Sequence, residues 1–124
     1  MYIFEMIRHY FRNGVTAYVY WNMALKDGGE STWGWHQNSL FCIKDGEIIR
    51  NPEYYCVKHF AHFVKPGARM LKTAGAHSSC TAAFQNPDGS RVLVIANPYK
   101  NEKALSIEGK TFVLSPASFN TIIL

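Results

Sequence analysis

The chain has 124 residues, a net charge of +4, 48% hydrophobic residues and 18% charged residues. That is about one domain's worth of globular sequence, able to hide roughly two-thirds of its unfolded surface, and it is not the composition of a disordered chain. The basic residues are scattered, with no Lys/Arg block and no basic helical face, which argues against nucleic-acid binding. No apolar run approaches the roughly 20 residues of a membrane span.

In chain order, residues 2–12 read as a helix. Ile3, Phe4, Ile7, Tyr10 and Phe11 repeat at i, i+3/i+4 with Glu5, Arg8, His9 and Arg12 between them. Asn13-Gly14 supplies the stop. No Ser, Thr, Asp or Asn precedes the first apolar residue as a cap, so the helix is expected to begin upstream. No apolar signal-peptide core follows Met1. Val15–Trp21 reads as a buried strand, β-branched and aromatic throughout. Leu40–Ile43 is a short strand, Asp45-Gly46 a tight turn, and Ile48–Arg50 a second short strand. Asn51-Pro52-Glu53 opens another helix, with Asn51 as N-cap and Pro52 at its first position. Tyr54, Val57, Phe60, Ala61 and Val64 form its apolar stripe before Lys65-Pro66-Gly67 ends it.

Beyond residue 67 the pattern is all-β. Arg69–Thr73, Cys80–Phe84, Arg91–Ala96, Leu105–Ile107, Thr111–Leu114 and Phe119–Leu124 are the expected strands. Asn86-Pro87-Asp88-Gly89 is a hairpin turn. The Val92–Ile95 run is apolar on both faces, which predicts a central strand. Short strands at this spacing suggest a β-sandwich. The chain thus divides into an α/β part, residues 1–66, and a small all-β part, residues 67–124. The first is too small to close a layered fold by itself.

The chemistry concentrates in residues 19–38. All three tryptophans, Trp21, Trp33 and Trp35, fall here, around Asn22 and the Gly28-Gly29 pair. Aromatic rings beside amides suit a sugar, the rings stacking on its apolar face and the amides bonding its hydroxyls. A corner whose tryptophans merely pack would use the same residues. His59 and His62 stand i, i+3 on a helix, but no further ligand has the spacing a metal needs, so a packing or hydrogen-bonding role is expected and no metal or other cofactor is. Cys42, Cys56 and Cys80 are odd in number and lack metal-type spacing, which favours free thiols while leaving one disulfide open.

An ordered series of motifs carries a resemblance. Strand, Trp21-Asn22, the Gly-Gly loop and a second Trp-bearing segment come first. Asn51-Pro-Glu-Tyr-Tyr55, His59-Phe-x-x-Phe63-Val-x-Pro66-Gly67, Asn86-Pro-Asp-Gly-Ser90, Val92–Asn97 and Leu114-Ser-Pro-x-Ser-Phe119 follow. Over essentially its whole length the chain resembles the C-terminal end of glycoside hydrolase family 30, the glucosylceramidase and β-1,6-glucanase group. The resemblance implies the terminal strand and helices of a (β/α)8 TIM barrel followed by a small antiparallel β-sandwich side domain. Residues 2–12 would be the seventh barrel helix, Val15–Trp21 the eighth strand and Pro52–Val64 the eighth helix. Since barrel active sites lie at the C-terminal ends of the strands, Trp21 would line the sugar subsite. Asn22 and the loop 27–35, Trp33 foremost, would shape its wall, with Trp35, His36 and Gln37 as weaker candidates.

Members of this family are retaining glycosidases, which need two carboxyl groups roughly 5 Å apart. By the resemblance these come from the fourth and seventh barrel strands, both before Met1. None of the nine acids present stands out as catalytic: Asp27 and Glu30 lie in the loop, and Glu5, Asp45, Glu47, Glu53, Asp88, Glu102 and Glu108 fall on a helix face, at turns, at a helix start or in a polar loop. The expected partners are a β-glucoside-type sugar or glycolipid and the missing N-terminal barrel portion, and the chain alone should be inactive. Glucosylceramide, short β-glucosides and β-1,6-glucan are all compatible with the resemblance, as is an extracellular, periplasmic or lysosomal setting. The competing reading is a self-standing, non-catalytic carbohydrate-binding β-module.

Overall fold

A computed structural model describes residues 1–124. Helix α1 spans Tyr2–Arg12 and helix α2 spans Pro52–Phe63. Between them lie β1 (Ala24–Lys26), β2 (Phe41–Lys44) and β3 (Glu47–Arg50), and after α2 come β4 (Arg69–Leu71), β5 (Thr81–Gln85), β6 (Arg91–Asn97), β7 (Lys103–Ile107), β8 (Lys110–Leu114) and β9 (Ser118–Ile123). A single 3-10 turn at Ser78–Cys80 leads into β5.

Three sheets result. The first runs β1-β2-β3, with β1 parallel to β2 and β2 antiparallel to β3. The second is antiparallel in the order β4-β5-β6-β9, and the third is the β7-β8 hairpin. The β5–β6 turn forms where Asn86-Pro87-Asp88-Gly89 predicts it: Gly89 takes φ 87°, and the Ser90 N–H donates to Asp88 Oδ1 at 2.9 Å.

Strand β6 organises both cores. Because side chains alternate across a strand, Val92, Val94 and Ala96 face the helices, where they join Ile3, Phe4, Ile7, Cys56 and Phe60 in one buried cluster. The Phe4 ring packs 5.9 Å from Phe60 and 6.2 Å from Phe119, and Phe11 meets Phe84 edge-on at 5.9 Å. The opposite face carries Ile95, which clusters with Leu114 and Ile122 beneath the β7-β8 hairpin. The four-stranded sheet is therefore covered on both sides, which explains the uninterrupted apolar run in its central strand. Two polar pins reinforce the helix side. Asn86, 5% exposed, donates to the Phe63 carbonyl (3.1 Å) and Ser90 Oγ (3.1 Å) and accepts from the Lys65 N–H (2.9 Å). His59 Nδ1 lies 2.8 Å from Thr121 Oγ1 on β9.

Several expectations need correction. The TIM barrel itself is not in this chain; its α/β part consists of two helices and the small mixed sheet. Val15–Trp21 is not a buried strand. It forms no ladder, and Val19 and Trp21 are 91% and 79% exposed while Tyr18 and Tyr20 turn toward the core. A strand apolar on both faces needs neighbours on both sides, and no segment of this chain supplies them. Strand β1 was not anticipated. Asn51 holds the N-cap position, but its amide donates to the Ser39 carbonyl at 2.9 Å and makes no cap bond. The Cys80 end of the expected fifth strand belongs to the 3-10 turn, and Thr73 lies beyond β4. All three cysteines are free, Cys56 fully buried and Cys42 and Cys80 half-buried; burial pushes the Cys56 thiol up to about 12.

Candidate functional site

The extended segment 15–21 reaches the edge of the small mixed sheet at Asn22, and the Trp21–Asn22 peptide is cis. The backbone of Asn22 is held from the strand side: its carbonyl accepts from the Leu40 N–H at 3.1 Å, and the Met23 carbonyl accepts from Phe41 at 2.9 Å. The Asn22 side chain closes a bond across the loop that follows, Nδ2 donating to Gln37 Oε1 at 2.6 Å. An amide pair joined this way leaves Asn22 Oδ1 as an acceptor and Gln37 Nε2 as a donor. A sugar hydroxyl both gives and takes a hydrogen bond, so this free pair matches it.

Trp21 stands beside that pair on an open groove of about 600 Å³. Its walls come from α1 on one side (Met1, Tyr2, Met6) and from Tyr18, Tyr20 and Trp21 on the other, with Gln37, Asn38 and Glu53 as polar lining. Burial, followed by the nearby Glu53 carboxylate, pushes the Tyr20 phenol up to about 12, so Tyr20 presents a neutral hydroxyl here. The groove thus sets an exposed indole, a phenol, amides and the Glu53 carboxylate among mostly apolar walls.

Residues 27–37 form a closed loop over this edge. Gly29 N–H donates to Lys26 O (3.0 Å), Gln37 N–H to Gly29 O (2.9 Å), Ser31 N–H to Trp35 O (2.8 Å) and Gly34 N–H to Ser31 O (2.9 Å). Gly29 is required at its position: at φ 67°, an added Cβ would lie 2.3 Å from the Gln37 carbonyl oxygen. His36 Nδ1 sits 2.9 Å from the Gly28 carbonyl, so this side chain braces the loop. The loop acids are paired, Asp27 with Lys44 at 3.2 Å and Glu30 with Lys26 at 3.7 Å. The Lys44 ammonium, by hydrogen bond and by charge, holds the Asp27 carboxyl below the usual range. The Cys42 thiol, 3.7 Å from Asp27 Oδ1, is raised by loss of solvent and by that carboxylate.

Trp21 lines the groove, whereas Asn22 is not part of its lining and adjoins it only through its bond to the lining residue Gln37. Trp33 is elsewhere: it does not line the groove but pairs with Trp35 at the loop tip, ring centroids 6.1 Å apart and tilted by 45°. Gln37, which sequence reasoning ranked low, is the residue that fixes Asn22. Only its place opposite Asn22 across a Gly-Gly loop could have signalled this. His59 serves as a hydrogen-bonded core residue, and no group of three or more His, Cys, Asp or Glu side chains is arranged to hold a metal ion.

The two-layered antiparallel β module joined to helices is the architecture of a β-sandwich side domain. Residues 67–122 match the glycosyl hydrolase family 30 beta sandwich domain. The chain belongs to that family. It is similar to putative glucosylceramidase 2 of Caenorhabditis elegans, 31% identical over 93 residues, and to the endo-1,6-beta-D-glucanase neg1 of Aspergillus fumigatus, 30% identical over 93 residues. Each match covers 70% of this chain and 18% of the relative, so the chain spans under a fifth of these relatives' length. In structure it is similar to SrfJ from Salmonella typhimurium, with a TM-score of 0.81 at 24% identity, covering 99% of this chain and 29% of that one. That likeness is one of fold.

Proposed function

We propose that this chain forms the last strand, the adjoining loop and the bracing β-sandwich of a retaining β-glycosidase acting on β-glucosidic bonds in a glycolipid or a β-glucan. In this reading Val15–Trp21 is the final strand of a (β/α)8 barrel whose remaining strands, with both catalytic carboxylates, lie outside residues 1–124. Trp21 stacks on the sugar, and Asn22 with Gln37 bonds its hydroxyls. The observation that carries the reading is the state of that strand: an apolar β segment with no ladder partner, its Val19 and Trp21 side chains in water, ending on an amide pair at an open groove. Such a segment gains a sheet only from chain not present here. The named activities of the relatives, glucosylceramidase and endo-1,6-β-glucanase, supply the two substrate classes.

The test is complementation. Co-expression with the seven-stranded barrel portion of a family 30 glucosylceramidase should yield a soluble complex that hydrolyses an aryl β-glucoside, where the chain alone does not. Trp21→Ala in the complex should abolish turnover. Failure to associate with the barrel portion would instead support the competing reading of a self-standing carbohydrate-binding module. The same exposed strand argues against that reading, since monomers rarely leave apolar patches beyond a few hundred Å².

A further inference from the structure

Helix α1 ends in a tightly specified turn. The Gly14 N–H donates to the Phe11 carbonyl and the Val15 N–H to the Tyr10 carbonyl, each at 3.1 Å, and Gly14 takes φ 88°. This nested pair of bonds around a left-handed residue is a Schellman stop, a place that favours glycine because it lacks a Cβ. Asn13 closes the turn from the side: its Nδ2 donates to the His9 carbonyl at 2.8 Å, and its backbone N–H donates to the same oxygen at 3.1 Å. The fold thus holds an asparagine directly before an obligatory glycine. No other asparagine of the chain precedes glycine, and Asn51, Asn86 and Asn97 precede proline, whose nitrogen has no proton to give up.

We propose that Asn13 is a site of spontaneous modification, and that its conversion to aspartate or isoaspartate loosens the end of α1. The Gly14 backbone nitrogen loses its proton to solvent base and attacks Asn13 Cγ. The N–Cγ bond forms, the Cγ–Nδ2 bond breaks and Nδ2 leaves as ammonia. Water then opens the cyclic imide at either carbonyl, giving aspartate or isoaspartate. Glycine permits this because no side chain crowds its nitrogen. In the folded turn both reacting groups are occupied, Nδ2 on His9 and the Gly14 N–H on Phe11, so conversion waits on fraying of the last turn. The product carboxylate cannot donate to the His9 carbonyl, and it sets a negative charge among the carbonyls at the negative end of the helix. Phe11, which packs edge-on against Phe84, sits in that turn, so the loosening reaches β5. All these bonds lie within residues 9–15 and the reaction takes only water, so the proposal is independent of the glycosidase reading.

The test is to age the 124-residue chain in mildly alkaline buffer, folded and in urea, and to follow the amide-to-acid mass gain at each asparagine by peptide mapping. Asn13 should convert first in both states, several-fold more slowly in the folded chain. Asn13→Gln should remove that conversion. Asn13→Asp should lower the urea midpoint and speed hydrogen exchange of the Gly14 and Val15 amides, and aged wild-type protein separated by charge should show the same changes without any substitution. The site is overturned if another asparagine converts first in the folded chain, or if Asn13 stays intact there while it converts in urea. Equal rates in the two states would overturn the gating by the turn. The loosening is overturned if neither Asn13→Asp nor the aged protein differs from fresh protein in midpoint or exchange.

Discussion

Asn22 and Gln37, fifteen positions apart, are joined amide to amide at 2.6 Å across the base of the tryptophan loop. The bond ties the end of the unpaired apolar segment to the far arm of the loop. Gln37→Ala should cost about 1 kcal/mol of stability. Methyl β-glucoside binding should fall further than stability does, because Asn22 loses its fixed orientation. Asn22→Ala should remove binding altogether. Equilibrium urea denaturation and calorimetry on the same samples separate the two effects.

Gly29 and Gly28 offer a matched pair of substitutions. Both have positive φ, 67° and 82°, but only Gly29 faces a carbonyl oxygen at 2.3 Å from an added Cβ, while Gly28 has nothing within 4 Å. Gly28→Ala should therefore cost only the left-handed backbone penalty, roughly 1–2 kcal/mol. Gly29→Ala should cost about 2 kcal/mol more, because the loop arms must part. The difference in urea midpoint between the two variants measures the closure of the loop.

The Asn86 amide should matter well beyond its turn. Two of its bonds join the end of α2 to the β5–β6 hairpin and a third, to Ser90, lies within the turn; alanine would strand the Phe63 carbonyl and the Lys65 N–H. A loss of about 2–3 kcal/mol is expected. Asn86→Asp should recover only part of it, since a carboxylate still accepts from Lys65 but cannot donate to Phe63. Thermal denaturation of the two variants gives the comparison.

His59 makes stability depend on pH. Burial, with the nearby Lys58 charge, lowers its folded pKa below the usual value near 6.5. Between the two values the unfolded chain holds the extra proton, so stability rises with pH across that window. The contribution is complete above the unfolded pKa and is lost as pH falls through the folded one. Urea midpoints measured from pH 8 to pH 5 should fall on acidification, and His59→Gln should flatten that part of the curve.

Where signals are local, sequence and structure agree. Asn86-Pro87-Asp88-Gly89 writes its own turn, the period of Ile3, Phe4 and Ile7 writes α1, and an apolar run with two greasy faces marks β6 as central. Where the determinant is a distant partner, they part. Val15–Trp21 reads as buried because its composition demands burial, yet composition does not say which chain provides it. Ala24–Lys26 has no pattern of its own and becomes β1 only by pairing with β2 across the loop. In the site, the place of Trp21 and Asn22 at the end of an apolar run is legible. The Asn22–Gln37 bond and the removal of Trp33 to a separate tip are not, because both follow from how the loop closes.

Strand β6 has a consequence for how the molecule comes apart. Val94 and Ile95 are adjacent in sequence but belong to different cores, one beneath the helices and one beneath the hairpin. Neither layer can peel away without exposing a face of the strand that the other layer needs flat and paired. The helices and the hairpin, whose buried clusters lie on opposite faces of β6, should therefore melt in a single transition. In hydrogen exchange, the slowest amides of both layers should converge on one opening free energy, set in the middle of β6.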